Sequence, residues 1–336
     1  MRSLLLTRQN WGGIARYAED LAEALGACDV EAAAVDATDW MPNETGPKFD
    51  KHVSKRLVDT ARGFDVVHAV GYRTAWACSA AFGDKRPWIY TAYDLPKTRH
   101  PLFVGRLNDS AAGLCSARAV RKALDDILVM NLETVVIGVR QPHQALDRDQ
   151  ARAALELPTG GSVVAGAGRW VPDRGFDALV RSMESVWESE PDTTLVLAGG
   201  GPEKDELSRL AAESRQPERV RLLGLVDDPA VVMAAADIFV VPSRRGGTSM
   251  AAMEAMASGL PVLLRDTGGL AELIDPDLSG MLFDTDEQLG STIVEMLGLP
   301  LTLETLGGAA KVAAAERFRI DRNAERVAEV YRSVTP

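Results

Sequence analysis

The sequence predicts an α/β protein of two doubly wound domains, each a mostly parallel sheet flanked by helices, facing each other across a cleft. Three observations predict it. Short apolar runs of strand length alternate with amphipathic helical stretches along the chain, which is the pattern of βαβ crossovers. Two such series occur, separated by dense Pro and Gly punctuation. The length, 336 residues, suits two domains of ordinary size.

In the first series, residues 3–7 (SLLLT) read as a strand, followed by the loop Asn10-Trp11-Gly12-Gly13 and a helix over 14–25. Strand-like runs follow at 65–69, 87–91, 126–130 and 134–137. The break falls near 138–160, where Gly138, Gln141 and Pro142 precede a short helix and then Pro158-Thr159-Gly160-Gly161. The second series has strands at 162–167, 193–198, 219–223, 237–241, 261–264 and 280–283, with helical periods such as 203–214 and 286–297. The stretch 302–334 has no strand signal and reads as two helices, the last amphipathic over 320–333. The expected domains are 1–145 and 146–316, with a helix over 317–336 that can pack back on the first. Ligands of such sheets bind at the carboxyl ends of the strands, here expected in the cleft.

Composition narrows the function. Lys plus Arg total 37 against 48 Asp plus Glu, a net charge of −11. Nucleic acid and anionic membrane would both repel such a surface, so neither is an expected partner. Any phosphate it binds must be met by a few placed cations. Cys28, Cys78 and Cys115 are scattered and odd in number, which fits buried thiols in a reducing compartment rather than a disulfide or zinc framework. The N-terminal apolar run is too short for a signal-peptide core. No window approaches the ~18 apolar residues of a membrane helix. The expectation is a soluble, cytoplasmic protein.

Three glycine-rich turns can carry chemistry. Gly12 and Gly13 close the first strand and open a helix, where bare backbone and free N–H groups suit an anion. Arg16 stands where a dinucleotide fingerprint would have its third glycine. Gly166-Ala167-Gly168 and Gly199-Gly200-Gly201 also end strands. In GAGRWVPDRGFDALV, residues 166–180, Arg169 ends a strand and Arg174 opens a helix. Two guanidinium groups so spaced can grip a diphosphate. In PSRRGGTSMAAMEAMASGLPVL, residues 242–263, the loop through Gly246 and Gly247 leads to Thr248 or Ser249 as helix cap, then Met250 and Glu254. Helix amides there suit phosphate, and a carboxylate one turn in suits a ribose diol. Gly268-Gly269 then reads as opening a further helix with Glu272.

These segments resemble the GT-B fold, family 4 type (retaining) glycosyltransferases. The run 163–283 resembles their donor-binding domain through GRWVPDRGFDAL, LVLAGGGPEKDEL, VRLLGLV, AADIFVVPS, EAMASGLPVL, TGGLAELI and SGMLF. The stretches GGIARYAEDLAEAL and DVVHAVG resemble the acceptor-side domain. The resemblance implies hexosyl transfer from a nucleotide diphosphate sugar to an acceptor, with no metal and no resident cofactor, the nucleotide sugar being a co-substrate. It implies that Arg169, Arg174 and the Gly13 backbone hold the diphosphate and that Glu254 binds the ribose. The amides near Ser249 and Met250 would meet the sugar or phosphates.

Two departures fall on the sugar pocket. The first Glu of the family's E-x7-E signature would stand at Gly246. The segment IYTAYDL ends in Tyr93-Asp94 where the family has His-Asp, which makes Tyr93 and Asp94 the candidate catalytic pair. An unusual donor sugar, completion of the site by the acceptor or a partner protein, or a catalytically silent nucleotide-sugar-binding homologue would each account for them. The family's front-face mechanism, in which the leaving phosphate takes the acceptor's proton, puts most of the stabilisation on the phosphate grip and favours an active enzyme. A GT-B-like epimerase or phosphorylase would need a proton-abstracting set or a cofactor lysine, and neither can be assigned. The compact acceptor half, read as lacking a basic amphipathic helix, points to a small-molecule acceptor such as a natural-product scaffold.

Other candidates read more simply. The triplets Asp147-Arg148-Asp149, Asp275-Pro276-Asp277 and Asp284-Thr285-Asp286 resemble metal-binding DxD but sit at loops or helix starts. His68 can approach the cleft or be a satisfied core histidine; His52, His100 and His143 have no partner pattern. Trp11, Trp170 and Tyr72 follow strand ends, where packing is the simpler role.

Overall fold

The alternating signals fold into two sheets of six strands, every neighbouring pair parallel. The computed structural model describes residues 1–8, 12–41, 47–140, 147–298 and 300–335, without the side chains of 47–50, 300 and 301. Asn10, Trp11, Gln141, Pro142 and His143 lie outside the described residues. The chain forms two compact units, Met1–Arg140 with Phe318–Pro336, and Gln141–Arg317.

The first unit runs β1 Arg2–Thr7, α1 Gly13–Leu25, β2 Glu31–Asp36, α2 Pro47–Thr60, β3 Val66–Val70, α3 Tyr72–Phe82, β4 Trp88–Ala92, α4 Pro101–Asn108, β5 Ala112–Cys115, α5 Arg118–Asp125 and β6 Leu132–Thr134. Its strand order is β2-β1-β3-β4-β5-β6. The second unit runs α6 Arg148–Ala154, β7 Val163–Arg169, α7 Phe176–Ser189, β8 Thr194–Gly200, α8 Lys204–Glu213, β9 Val220–Gly224, α9 Ala230–Ala235, β10 Ile238–Val241, α10 Met250–Ala257, β11 Val262–Arg265, β12 Met281–Phe283, α11 Asp286–Leu297 and α12 Pro300–Arg317. Its order is β12-β11-β10-β7-β8-β9. The last helix, α13 Ile320–Val334, belongs to the first unit.

Central strands are apolar on both faces because helices cover both: Leu4, Leu5 and Leu6 of β1 are all fully buried. Departures from the sequence reading have local causes. The run 126–130 is not a strand. The amides of Ile127 and Leu128 both bond Leu124 O at 2.9 Å, which makes it the closing turn of α5, and the sheet is entered at β6. Strands β2 (EAAAVD) and β5 (AGLC) are built from small residues with no strand signature. In β5 that smallness is required, since a Cβ on Gly113 would meet Tyr90 Oη at 2.8 Å. After Gly268-Gly269 only a single 3-10 turn, Ala271–Leu273, forms instead of the expected helix.

Helix α2 corrects the reading of the first domain as lacking a basic amphipathic helix. It buries Val53 and Leu57 and exposes Lys51, His52, Lys55 and Arg56, with the Arg56 guanidinium 5.4 Å from the Trp40 ring centroid. Among the described residues no single helix is long and apolar enough to cross a membrane. Cys78 and Cys115 are buried, and all three cysteines are free thiols.

A buried polar seam fastens α13. His68, inside β3, lies 2.8 Å from Tyr331 Oη through Nδ1 and 2.7 Å from Thr91 Oγ1 through Nε2. Tyr17 Oη donates to Asn323 Oδ1 at 3.1 Å, and Asn323 Nδ2 donates to Val136 O at 2.7 Å. His68 is thus a satisfied core histidine. Burial pushes its imidazole down to about 3, against about 6.5 in an unfolded chain. Between those values the unfolded chain binds the extra proton, so stability falls as pH drops below about 6.5, by at most about 1.4 kcal/mol per pH unit. Urea unfolding at pH 7.5 and 5 tests this. His68→Gln, which cannot titrate, is expected to lose clearly less stability between the two pH values than the native protein; equal losses would refute the assignment.

Candidate functional site

In the second sheet β7 lies between β10 and β8. From β7 the chain builds outward through β8 and β9 on one side, then returns to build β10, β11 and β12 on the other. The carboxyl ends of β7 and β10 therefore flank a topological switch point, where loops diverge and leave room for a ligand. Both cationic and glycine-rich motifs leave the sheet there. Arg169 is the last residue of β7, Arg174 closes the 3-10 turn Pro172–Arg174, and Gly246–Ser249 lead into α10.

Close backbone contacts lock these loops. Gly175 has φ +68°, and a Cβ there would lie 2.3 Å from Pro242 O, so the turn after β7 presses directly on the exit of β10. Arg174 Nη1 donates to Arg245 O at 3.2 Å, tying the same two loops a second time. The turn after β11 joins them through Gly269 N, which donates to Gly246 O at 3.2 Å. Trp170 is fully buried, with its backbone N–H donating to Gly200 O at 2.8 Å, so its ring packs and does not stack on a ligand.

An ion-pair lattice underlies the loops. Arg244 Nη1 and Nη2 donate to Asp177 Oδ1 and Oδ2 at 2.7 and 2.9 Å, and Nη2 also reaches Asp286 Oδ2 at 2.9 Å. Arg265 bonds Asp286 as well, and its Nε donates to Pro242 O at 3.2 Å. Burial opposes ionisation of Asp177 and Asp286, but the arginine bonds outweigh it and hold both carboxyls below their ordinary values. Asp286, read above within an acidic triplet, is thus engaged by two guanidinium groups. Glu203, by contrast, is pushed up, first by burial and then by the charge of Asp177. Sequence reasoning passed over Asp177, Arg244 and Arg265 and read Asp286 only within an acidic triplet, because surface Arg and Asp are common and only the fold pairs them.

Helix α10 starts as expected. Ser249 is its cap, with Oγ accepting from Ala252 N at 3.2 Å. The neighbouring Thr248 Oγ1 is buried with no hydrogen-bond partner. Met250 is buried, and Glu254, half-buried, stands on the second turn. Gly246 and Gly247 are both buried.

The candidates in the first unit sit at the carboxyl ends of its strands. Gly12 precedes α1 with φ 84°, and Gly13 is its first residue. Tyr93 and Asp94 follow β4. The Tyr93 ring lies against Gly71, whose Cβ would be 2.8 Å from Tyr93 Cε1. Asp94 Oδ1 accepts from Leu95 N at 2.8 Å, and its carbonyl accepts from Tyr72 Oη at 2.7 Å. Among the described residues, no group of three or more His, Cys, Asp or Glu side chains is placed to hold a metal ion.

Residues 147–312 match the family described as Glycosyl transferases group 1. The match spans nearly the whole second unit, which is thus similar to the group 1 glycosyltransferases. The chain is 29% identical over 197 residues to a GDP-mannose-dependent monoacylated alpha-(1-6)-phosphatidylinositol monomannoside mannosyltransferase of Corynebacterium glutamicum, covering 56% of this chain and 51% of that protein. It is 36% identical over 196 residues to a D-inositol 3-phosphate glycosyltransferase of Nocardia farcinica, covering 55% and 43%. The chain spans about half the length of these curated relatives. Among solved structures, the fold matches sucrose-phosphate synthase from Thermosynechococcus elongatus, with TM-score 0.85, 20% identity and coverage of 99% and 98%. It also matches Anabaena HepE in complex with UDP-glucose, with TM-score 0.83, 22% identity and coverage of 99% and 100%. The architecture is therefore GT-B.

Proposed function

We propose that this protein is a retaining, metal-independent glycosyltransferase that moves a sugar from a nucleotide diphosphate sugar to a small-molecule acceptor in the cytoplasm. One observation carries the reading: Arg169, Arg174 and the capped start of α10 all leave the second sheet at its switch point. In this reading the two guanidinium groups hold the diphosphate and stabilise the charge that grows on it as the glycosidic bond breaks. The N–H groups at Ser249 and Met250 add to that field, and Thr248 Oγ1 gains its missing partner. Glu254 accepts from the ribose hydroxyls. The leaving phosphate takes the acceptor's proton from the face it departs, so the anomeric configuration is kept. Gly12 and Gly13 would add donor contacts, and Tyr93 and Asp94 would be the catalytic pair. The mannosyltransferase relative depends on GDP-mannose and others act on an inositol phosphate, which supports a nucleotide sugar and a hydroxyl-bearing acceptor.

The departures at Gly246 and Tyr93 favour one second reading, a homologue that binds nucleotide sugars without transfer. Incubating UDP-, GDP- and dTDP-sugars with a panel of polyol acceptors in EDTA separates the two. Release of nucleoside diphosphate with a product of unchanged anomeric configuration is expected. Binding without release under every condition supports the silent homologue. Inversion, or a requirement for added divalent cation, overturns the retaining or the metal-free part.

A further inference from the structure

The net charge of −11 is not shared by the two units. The first carries 22 Lys and Arg against 20 Asp and Glu, the second 15 against 28. Within the first unit the cations are sorted again by face. The chain crosses the sheet one way from β1 to β2, and the other way from β2 through β3 and β4 to β5. Right-handed crossovers therefore place α1 on one face and α2, α3 and α4 together on the other, where α3 packs against both α2 and α4.

This helix layer is basic. Helix α2 exposes Lys51, His52, Lys55 and Arg56, and its Asp59 is held by Arg62 at 2.9 Å. Helix α3 has Arg73 and no acid. From Leu95 to Asn108, through the loop before α4 and α4 itself, the chain carries Lys97, Arg99, His100 and Arg106 and no acid. The opposite face has no such excess: α13 has three arginines and three acids, and α1 one arginine against three acids. Among the cations stands an apolar residue, Leu102, 65% exposed on the first turn of α4. That turn is fixed. His100 N donates to Thr98 Oγ1 at 3.1 Å, His100 Nδ1 accepts from Leu102 N at 3.3 Å, and Pro101 opens the helix. The Arg106 guanidinium, 5.1 Å from the Trp76 ring centroid, ties α4 to α3.

We infer that this helix layer docks on an anionic lipid bilayer, with the cations of α2 and of 97–106 over the headgroups and Leu102 entering the interface. The attraction is a field of summed charge, so it needs no vacant hydrogen-bond donor, and the repulsion expected from the whole-chain charge does not apply to this face. A bilayer fits better than a linear polyanion because an exposed leucine held among cations gains only where apolar chains lie beneath the charge. The inference goes beyond the reading above and does not depend on the donor site.

Cosedimentation of the whole chain with phosphatidylcholine vesicles, with and without about 30% phosphatidylglycerol, tests this at about 50 and about 500 mM salt. The anionic vesicles are expected to bind at least ~tenfold more tightly than phosphatidylcholine alone at low salt, and more weakly at high salt. Lys51→Glu combined with Lys55→Glu, and separately Arg99→Glu, should each weaken that binding roughly tenfold or more. Lys311→Glu, a reversal equal to that at Arg99 but in the second unit, should change it by less than about twofold. Leu102→Ser should weaken vesicle binding several-fold. All five replaced side chains are exposed, so the fold is expected to survive each change. The inference is overturned if anionic vesicles are not bound at low salt, or if Lys311→Glu costs as much as the first-unit reversals. It is equally overturned if Leu102→Ser binds vesicles like the native protein, which would make a linear polyanion the better occupant.

Discussion

Arg174→Ala is expected to weaken nucleotide diphosphate binding by about 1.5–3 kcal/mol, roughly tenfold to 150-fold in Kd. The side chain leaves a 3-10 turn whose own bonds, Arg174 N to Val171 O at 2.8 Å and Gly175 N to Pro172 O at 3.3 Å, do not depend on it. The turn should therefore survive, and what is lost is charge and donors at the switch point. Arg174→Lys keeps the charge but loses the planar fork, so it should recover only part of the affinity. Arg169→Ala is expected to act in the same direction. Titration calorimetry checks all three; unchanged affinity in Arg174→Ala would remove the diphosphate assignment.

Gly175→Ala is expected to destabilise the second unit strongly. A left-handed conformation costs a non-glycine residue about 1–2 kcal/mol, and forcing in an ill-fitting methyl typically adds about 1–3 kcal/mol. The Cβ would lie 2.3 Å from Pro242 O. That carbonyl cannot simply retreat, because it accepts from Arg265 Nε at 3.2 Å, inside the lattice that also holds Asp286, Arg244 and Asp177. A loss of about 2–4 kcal/mol follows, which for a unit of this size lowers Tm by about 5–15 °C. Gly246→Ala, with its ordinary contacts, serves as the comparison and should melt close to the native protein. If both variants melt alike, the packing role assigned to Gly175 is wrong.

The second unit was the more legible in sequence because its six strands are Val-, Leu- and Ile-rich and its turns carry explicit glycine and cap residues. Each expected strand there was found, as was the capping role of Ser249. The first unit was less legible where small residues build the sheet. Strands β2 and β5 give no β-branched signal, and the apolar run at 126–130 was captured by the end of α5. Helix α2 was missed because its apolar stripe, Val53 and Leu57, is narrow beside its basic face. The places of Arg169 at the end of β7, Arg174 before α7 and Glu254 on α10 were legible in the sequence. The Asp177–Arg244–Asp286–Arg265 lattice was not, since its members are far apart in sequence and meet only through the sheet order.

The central claim is that the switch point of the second sheet holds the diphosphate of a nucleotide sugar. A crystal structure with the nucleoside diphosphate that titrates most tightly tests it most directly. The account expects the two phosphates against Arg169, Arg174 and the start of α10, with the ribose hydroxyls on Glu254. A nucleotide seated elsewhere, or phosphates turned away from both guanidinium groups, would contradict it.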